Sequence, residues 1–104
     1  MPLPGKQTLT GKQRRHLRGL GHHLSPTVQV GNAGVTEGVI AAAAAALDAH
    51  ELIKVRIGEN APEAKDLVAA AISKGTDSET VQIIGRTLLF YRRHPEKPAL
   101  RLPK

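Results

Sequence analysis

Cysteine is absent from this chain of 104 residues, which excludes a disulfide framework and any thiolate metal site. The lack of cysteine fits a reducing compartment. Aromatic residues are nearly missing too, with no tryptophan and only Phe90 and Tyr91. A base-stacking platform needs several exposed rings, so that mode of nucleic-acid recognition is disfavoured, and both rings are expected in the core or at a strand edge. No apolar run reaches the roughly 18 residues of a membrane span, and Met1 to Thr10 lacks the apolar stretch of a secretory signal. A cytoplasmic protein without a membrane partner is expected. Acidic side chains are wholly absent from residues 1–36.

That last absence shows how charge is arranged. The formal net charge is +6. Residues 1–36 contribute five cations (Lys6, Lys12, Arg14, Arg15, Arg18), and residues 86–104 contribute six (Arg86, Arg92, Arg93, Lys97, Arg101, Lys104) against Glu96 alone. Residues 37–85 hold eight acids and four bases. Two basic ends flank an acidic middle, and if the ends meet in space they make a one-sided positive field suited to a polyanion.

Local patterns give the element order. Residues 1–8, with Pro2, Pro4 and Gly5, read as a flexible arm. Thr10 caps a first helix to about Leu20, with Leu9, Gln13, Leu17 and Leu20 on one side and Lys12, Arg14, Arg15 and Arg18 on the other. Thr27 to Val30 is a short strand, and Thr36 caps a second helix to about His50. The alanine run 41–46 in that helix is expected to pack closely on a sheet. Leu52 to Ile57 is a second strand. Pro62 is placed near the first position of a third helix, for which Gly75 is the C-terminal stop. Thr80–Ile84 and Thr87–Tyr91 form a hairpin through Gly85-Arg86, a two-residue type II′ turn. The proline-containing basic tail, 94–104, is expected to be extended or mobile. The α-β-α-β-α-β-β order predicts an α/β (α+β two-layer) fold with a mixed four-stranded sheet, and a single domain over residues 9–93.

Few residues carry candidate chemistry. Gly31-Asn32-Ala33-Gly34 lies between a strand and a helix, where glycines admit a phosphate close to the backbone and the helix start offers free N–H groups. A Gly-x-x-Gly loop clamps nucleic-acid backbone in KH domains, although a tight turn alone also explains two glycines. The cations of the first helix favour the phosphate reading. No dinucleotide or Walker-type glycine motif is present, so no nucleotide cofactor or small-molecule substrate is expected. The five histidines, His16, His22, His23, His50 and His94, lack zinc-ligand spacing, so no metal is expected. No catalytic constellation stands out, and the chain is read as a non-enzyme.

Seven segments together resemble the CRM domain (chloroplast RNA splicing and ribosome maturation), in particular its stand-alone bacterial YhbY-like members. They are Leu9 to Arg14, Leu17-Arg18, His22 to Pro26, Val30 to Thr36, His50 to Val55, and Val81 to Gly85 with Leu88 to Arg92. Gly21 departs from the alanine common there, and the tail beyond Arg93 falls outside. The resemblance implies a fold similar to the C-terminal domain of translation initiation factor three. It also implies RNA binding through the glycine loop and its basic neighbours, and association with rRNA in precursors of the large ribosomal subunit. The candidate RNA-binding residues are Gly31, Asn32, Ala33, Gly34, Thr36, Lys12, Arg14, Arg15, Arg18, Arg86 and Arg92. The helix cations are expected to converge on the loop, in a protein that is a monomer. The alternatives are a basic scaffold protein and a duplex-DNA-binding module.

Overall fold

The structure, a computed structural model, describes residues 9–96, 98 and 100–103; the arm at 1–8 lies outside the described residues. Seven elements follow the expected order: α1 (Gly11–Gly21), β1 (Val28–Val30), α2 (Glu37–His50), β2 (Leu52–Ile57), α3 (Lys65–Thr76), β3 (Glu79–Ile84) and β4 (Thr87–Tyr91). The strands form one sheet in the order β1-β2-β4-β3. β1 and β2 are parallel, and β4 is antiparallel to both β2 and β3. β4 folds back from β3 and inserts beside β2, so the strands joined by α3 are not neighbours. Gly85 has φ +55° and Arg86 does not share a positive φ, as a type II′ turn requires.

The α/β class and the mixed four-stranded sheet are as predicted, but the layering is not two. The main core joins Ile53, Val55 and Ile57 of β2 and Leu88 and Phe90 of β4 to α2 and α3. The second cluster, on the other face, joins Leu52, Leu89 and Tyr91 to Leu9 and Leu17. The period-2 alternation of β2 and β4 supplies apolar residues to both faces. A two-layer fold would leave Leu52, Leu89 and Tyr91 in water, so α1 covers them as a third layer. Phe90 and Tyr91, adjacent in sequence, fill opposite cores.

α1 has the expected start: Thr10 and Gln13 form a reciprocal capping box. In α2 the alanine run turns one buried position, Ala43, to the sheet, while Ala41, Ala42 and Ala45 remain exposed. α3 differs at both ends. It begins at Lys65 rather than near Pro62, because Ala64 supplies the first carbonyl, accepting from Leu67 and Val68. It ends on Asp77 in the left-handed conformation, not on Gly75. Gly75 lies inside the helix, where a Cβ would come within 2.9 Å of Ile40; it is small so that α2 and α3 can approach.

The described part of the tail is tied to the domain by hydrogen bonds and packing. Glu51, buried and at φ +61°, accepts through its carboxylate from the N–H groups of His94 (2.6 Å) and Leu100 (2.8 Å). Its carbonyl accepts from Arg92. Gln13 of α1 donates to the Pro103 carbonyl at 3.0 Å, and Leu100 and Leu102 join the second cluster. The two basic ends of the chain therefore do meet, on the α1 side of the sheet.

Candidate nucleic-acid interface

The glycine loop is a turn closed by Gly34 N–H donating to the Gly31 carbonyl at 2.9 Å. It leaves the C-terminal end of β1 and enters α2, where Thr36 Oγ1 accepts from Val39 N–H at 3.1 Å. Thr36 thus works as the helix cap. Gly31, Asn32 and Ala33 are exposed, and the N–H groups of Asn32 and Ala33 make no hydrogen bond among the described residues. Those two amides are donors available to an anion. Gly34 has φ +76° and is buried against the carboxylate of Glu63, whose Oε2 accepts from Val35 N–H at 3.2 Å.

The cation nearest the loop by bonding is Arg86. Gly58 N–H donates to the Val30 carbonyl at 2.8 Å, and a Cβ on Gly58 would stand 4.0 Å from the Gly31 Cα. Arg86 Nη1 donates to the Gly58 carbonyl at 3.1 Å, which places the exposed hairpin tip beside the loop. The positions in register on the inner strands continue this ground. Gln29 of β1 pairs with Arg56 of β2, which pairs with Thr87 of β4. Arg56 is exposed, Lys54 is half-buried two positions earlier, and neither has an ion pair or hydrogen bond from its side chain among the described residues. They lie on the α1 face, opposite Ile53, Val55 and Ile57. A shallow pocket of about 190 Å³ between the end of α1 and the sheet is lined by Gly21, His22, Lys54, Gln82 and Thr87.

The helix cations divide into two kinds. Lys12, Arg15 and Arg18 are exposed. Arg14 is turned to β3, donating to the Thr80 carbonyl at 2.8 Å and to Glu79 Oε1 at 2.7 Å. Arg92 is likewise occupied. Its guanidinium bonds the carbonyls of Thr76 (2.7 Å) and Ala44 (3.2 Å) and the Asp48 carboxylate, tying the end of β4 to α2 and α3. α1 itself packs on β2 and β3, on the face opposite to the helix that the loop opens. The expected direct convergence of the helix cations on the loop is not seen, because α1 covers the opposite face of the sheet from α2. The cations linked to the loop by bonding or register are Arg86 and Arg56, with Lys54 two positions along the same strand face. Lys54 and Arg56 were missed by sequence reasoning, although their i, i+2 spacing in an otherwise apolar strand signals a shared face. Glu63 had no local signal.

Such a surface offers dispersed cations, two free amides and little aromatic area, which suits phosphate backbone held by charge and shape. Comparison with known proteins agrees with the architecture. The CRS1 / YhbY (CRM) domain model matches residues 9–92. The chain is 47% identical over 95 residues to "Probable RNA-binding protein YqeI" of Bacillus subtilis, covering 91% of this chain and 99% of that protein. It is 44% identical over 97 residues to a protein of Haemophilus influenzae named "RNA-binding protein", covering 93% and 97%. Among solved structures, the solution structure of the hypothetical protein SAV1595 of Staphylococcus aureus, for which RNA binding is suggested, superposes with a TM-score of 0.78. It shares 40% identity, covering 92% of this chain and all of that one. With the domain model matched over residues 9–92 and the fold shared with a solved structure, the chain belongs to the CRS1/YhbY (CRM) domain family.

Proposed function

We propose that this protein binds folded RNA without catalysing a reaction, acting as a cytoplasmic monomer on rRNA in precursors of the large ribosomal subunit. The names of its relatives support RNA as the class of partner. The observation that carries the docking mode is the juxtaposition of the Gly31–Gly34 turn, with its unbonded Asn32 and Ala33 amides, and the cations Arg86, Arg56 and Lys54. Backbone amides and unpaired cations together receive phosphates, whereas neither alone distinguishes a site from a solvated surface.

The test is Gly31→Asp. A Cβ there meets nothing within 4 Å, so the fold tolerates the side chain while its charge faces an incoming phosphate. Affinity for large-subunit rRNA fragments is expected to fall at least tenfold with the melting temperature unchanged, and duplex DNA at matched salt is expected to compete poorly. Undiminished RNA affinity removes the loop from the mechanism. Sedimentation of cell extracts then shows whether the protein travels with large-subunit precursors.

A further inference from the structure

We infer that Glu63 is a positioning residue for the docking loop and that its charge limits how tightly the loop holds a phosphate; this rests on the reading of Gly31–Gly34 as the RNA-backbone site. Glu63 belongs to the connection between β2 and α3, far from the loop in sequence. One carboxylate oxygen, Oε2, accepts from Val35 N–H at 3.2 Å. The carboxylate also fills the space behind Gly34, where a Cβ would clash with Oε1 and lie 2.8 Å from Oε2. Gly34 is therefore a glycine for two reasons, its φ of +76° and the carboxylate packed against it.

The other oxygen is the unusual feature. Glu63 Oε1 is buried with no hydrogen-bond partner among the described residues. Buried polar atoms are nearly always satisfied, and each exception calls for a reason. A carboxylate serving only to accept one amide could be replaced by a neutral acceptor. Here a negative charge is held against Gly34, in the turn whose Asn32 and Ala33 amides make no hydrogen bond among the described residues. It orders those donors by fixing Val35, and it opposes any phosphate they receive. The two effects act in opposite directions on affinity, and substitution can separate them.

Glu63→Gln keeps an acceptor for Val35 and removes the charge. At a separation of about 7 Å and an effective dielectric constant of about 40–80, relief of the repulsion is worth roughly three- to eightfold in affinity. Glu63→Ala removes the charge and the acceptor together, so its affinity is expected to fall clearly below that of Glu63→Gln. Binding to a large-subunit rRNA hairpin is measured by fluorescence anisotropy for both variants, for wild type and for Gly31→Asp. Amide exchange at Val35 is followed in parallel and is expected to quicken in Glu63→Ala but not in Glu63→Gln. If Glu63→Ala fails to fold, Glu63→Asp takes its place; its withdrawn carboxylate keeps the charge and loosens the bond, and affinity is expected below wild type. Equal affinity in wild type and every Glu63 variant, with Gly31→Asp defective, overturns the role of Glu63 and leaves the loop as the site. A Glu63→Gln variant weaker than wild type overturns the charge effect. Full binding by Gly31→Asp instead removes the loop reading, and the inference with it.

Discussion

Replacing Lys54 and Arg56 together by alanine tests whether the open half of the α1 face belongs to the interface. Both side chains lack ion-pair partners among the described residues, so their removal leaves no buried charge behind. Each phosphate contact contributes about −0.7 to −0.9 to the slope of log K against log salt. If both cations meet phosphates, the double variant has a slope shallower by roughly 1.4–1.8. Between 50 and 200 mM salt, the affinity ratio of wild type to variant should then shrink by about tenfold. Fluorescence anisotropy against an rRNA fragment across a salt series gives the slope directly. Arg14→Ala is the matched control, because it removes a cation of the same charge already committed to Glu79 and the Thr80 carbonyl. That substitution should cost up to about 1 kcal/mol of stability, for a partly exposed pair, and leave the slope alone. An unchanged slope in the double variant, or an equal change in Arg14→Ala, would refute the assignment of cations to RNA and to the fold.

Two further outcomes follow from the packing. Arg92→Ala strands the carbonyls of Thr76 and Ala44, both bonded by the guanidinium of a side chain that is only 17% exposed. With the exposed Asp48 discounted, the loss of two charge-assisted bonds is about 2–3 kcal/mol, or a melting temperature lower by on the order of 10–20 °C in calorimetry. The salt slope of RNA binding should not move, and Arg92→Lys should restore little, since one ammonium cannot span the same acceptors. Tyr91, 1% exposed, has its phenol held above the ordinary value chiefly by burial, with Glu51 adding to the rise and Arg93 opposing it. Below about pH 10 both folded and unfolded chains keep the proton, so this group gives stability no pH dependence there. Above about pH 10 the unfolded chain loses the proton first, and stability falls as pH rises toward the folded value. Denaturant titrations from neutral pH upward should show that decline in wild type and a weaker one in Tyr91→Phe.

What could be read from the sequence was what is local. The Thr10 cap of α1, the Thr36 cap of α2 and the Gly85-Arg86 turn are set by residues within four positions of each other. What escaped reading depends on partners distant in the chain. Arg14 belongs by helical angle to the basic arc with Lys12, Arg15 and Arg18, and only the arrival of β3, with Glu79, turns it inward. Arg92 looked like one more cation of a basic segment until Ala44, Asp48 and Thr76 converged on it. Gly75 has the composition of a helix stop, but Ile40 decides its role.

The placement of α1 shows the same division and has the largest functional consequence. Its apolar side was legible; the sheet face that it covers was not, because that depends on β4 inserting between β2 and β3. Once β4 is there, Leu52, Leu89 and Tyr91 point away from α2 and α3 and need cover. α1 and the tail supply it, and α1 carries Lys12, Arg15 and Arg18 exposed with no acidic residue. Lys54 and Arg56 lie on the same face of the sheet, in the strand that pairs with the one from which the glycine loop departs. On the proposed docking mode a phosphate backbone that spans the helix and the loop crosses them, which is why their double replacement, and not a change in the helix alone, tests the path.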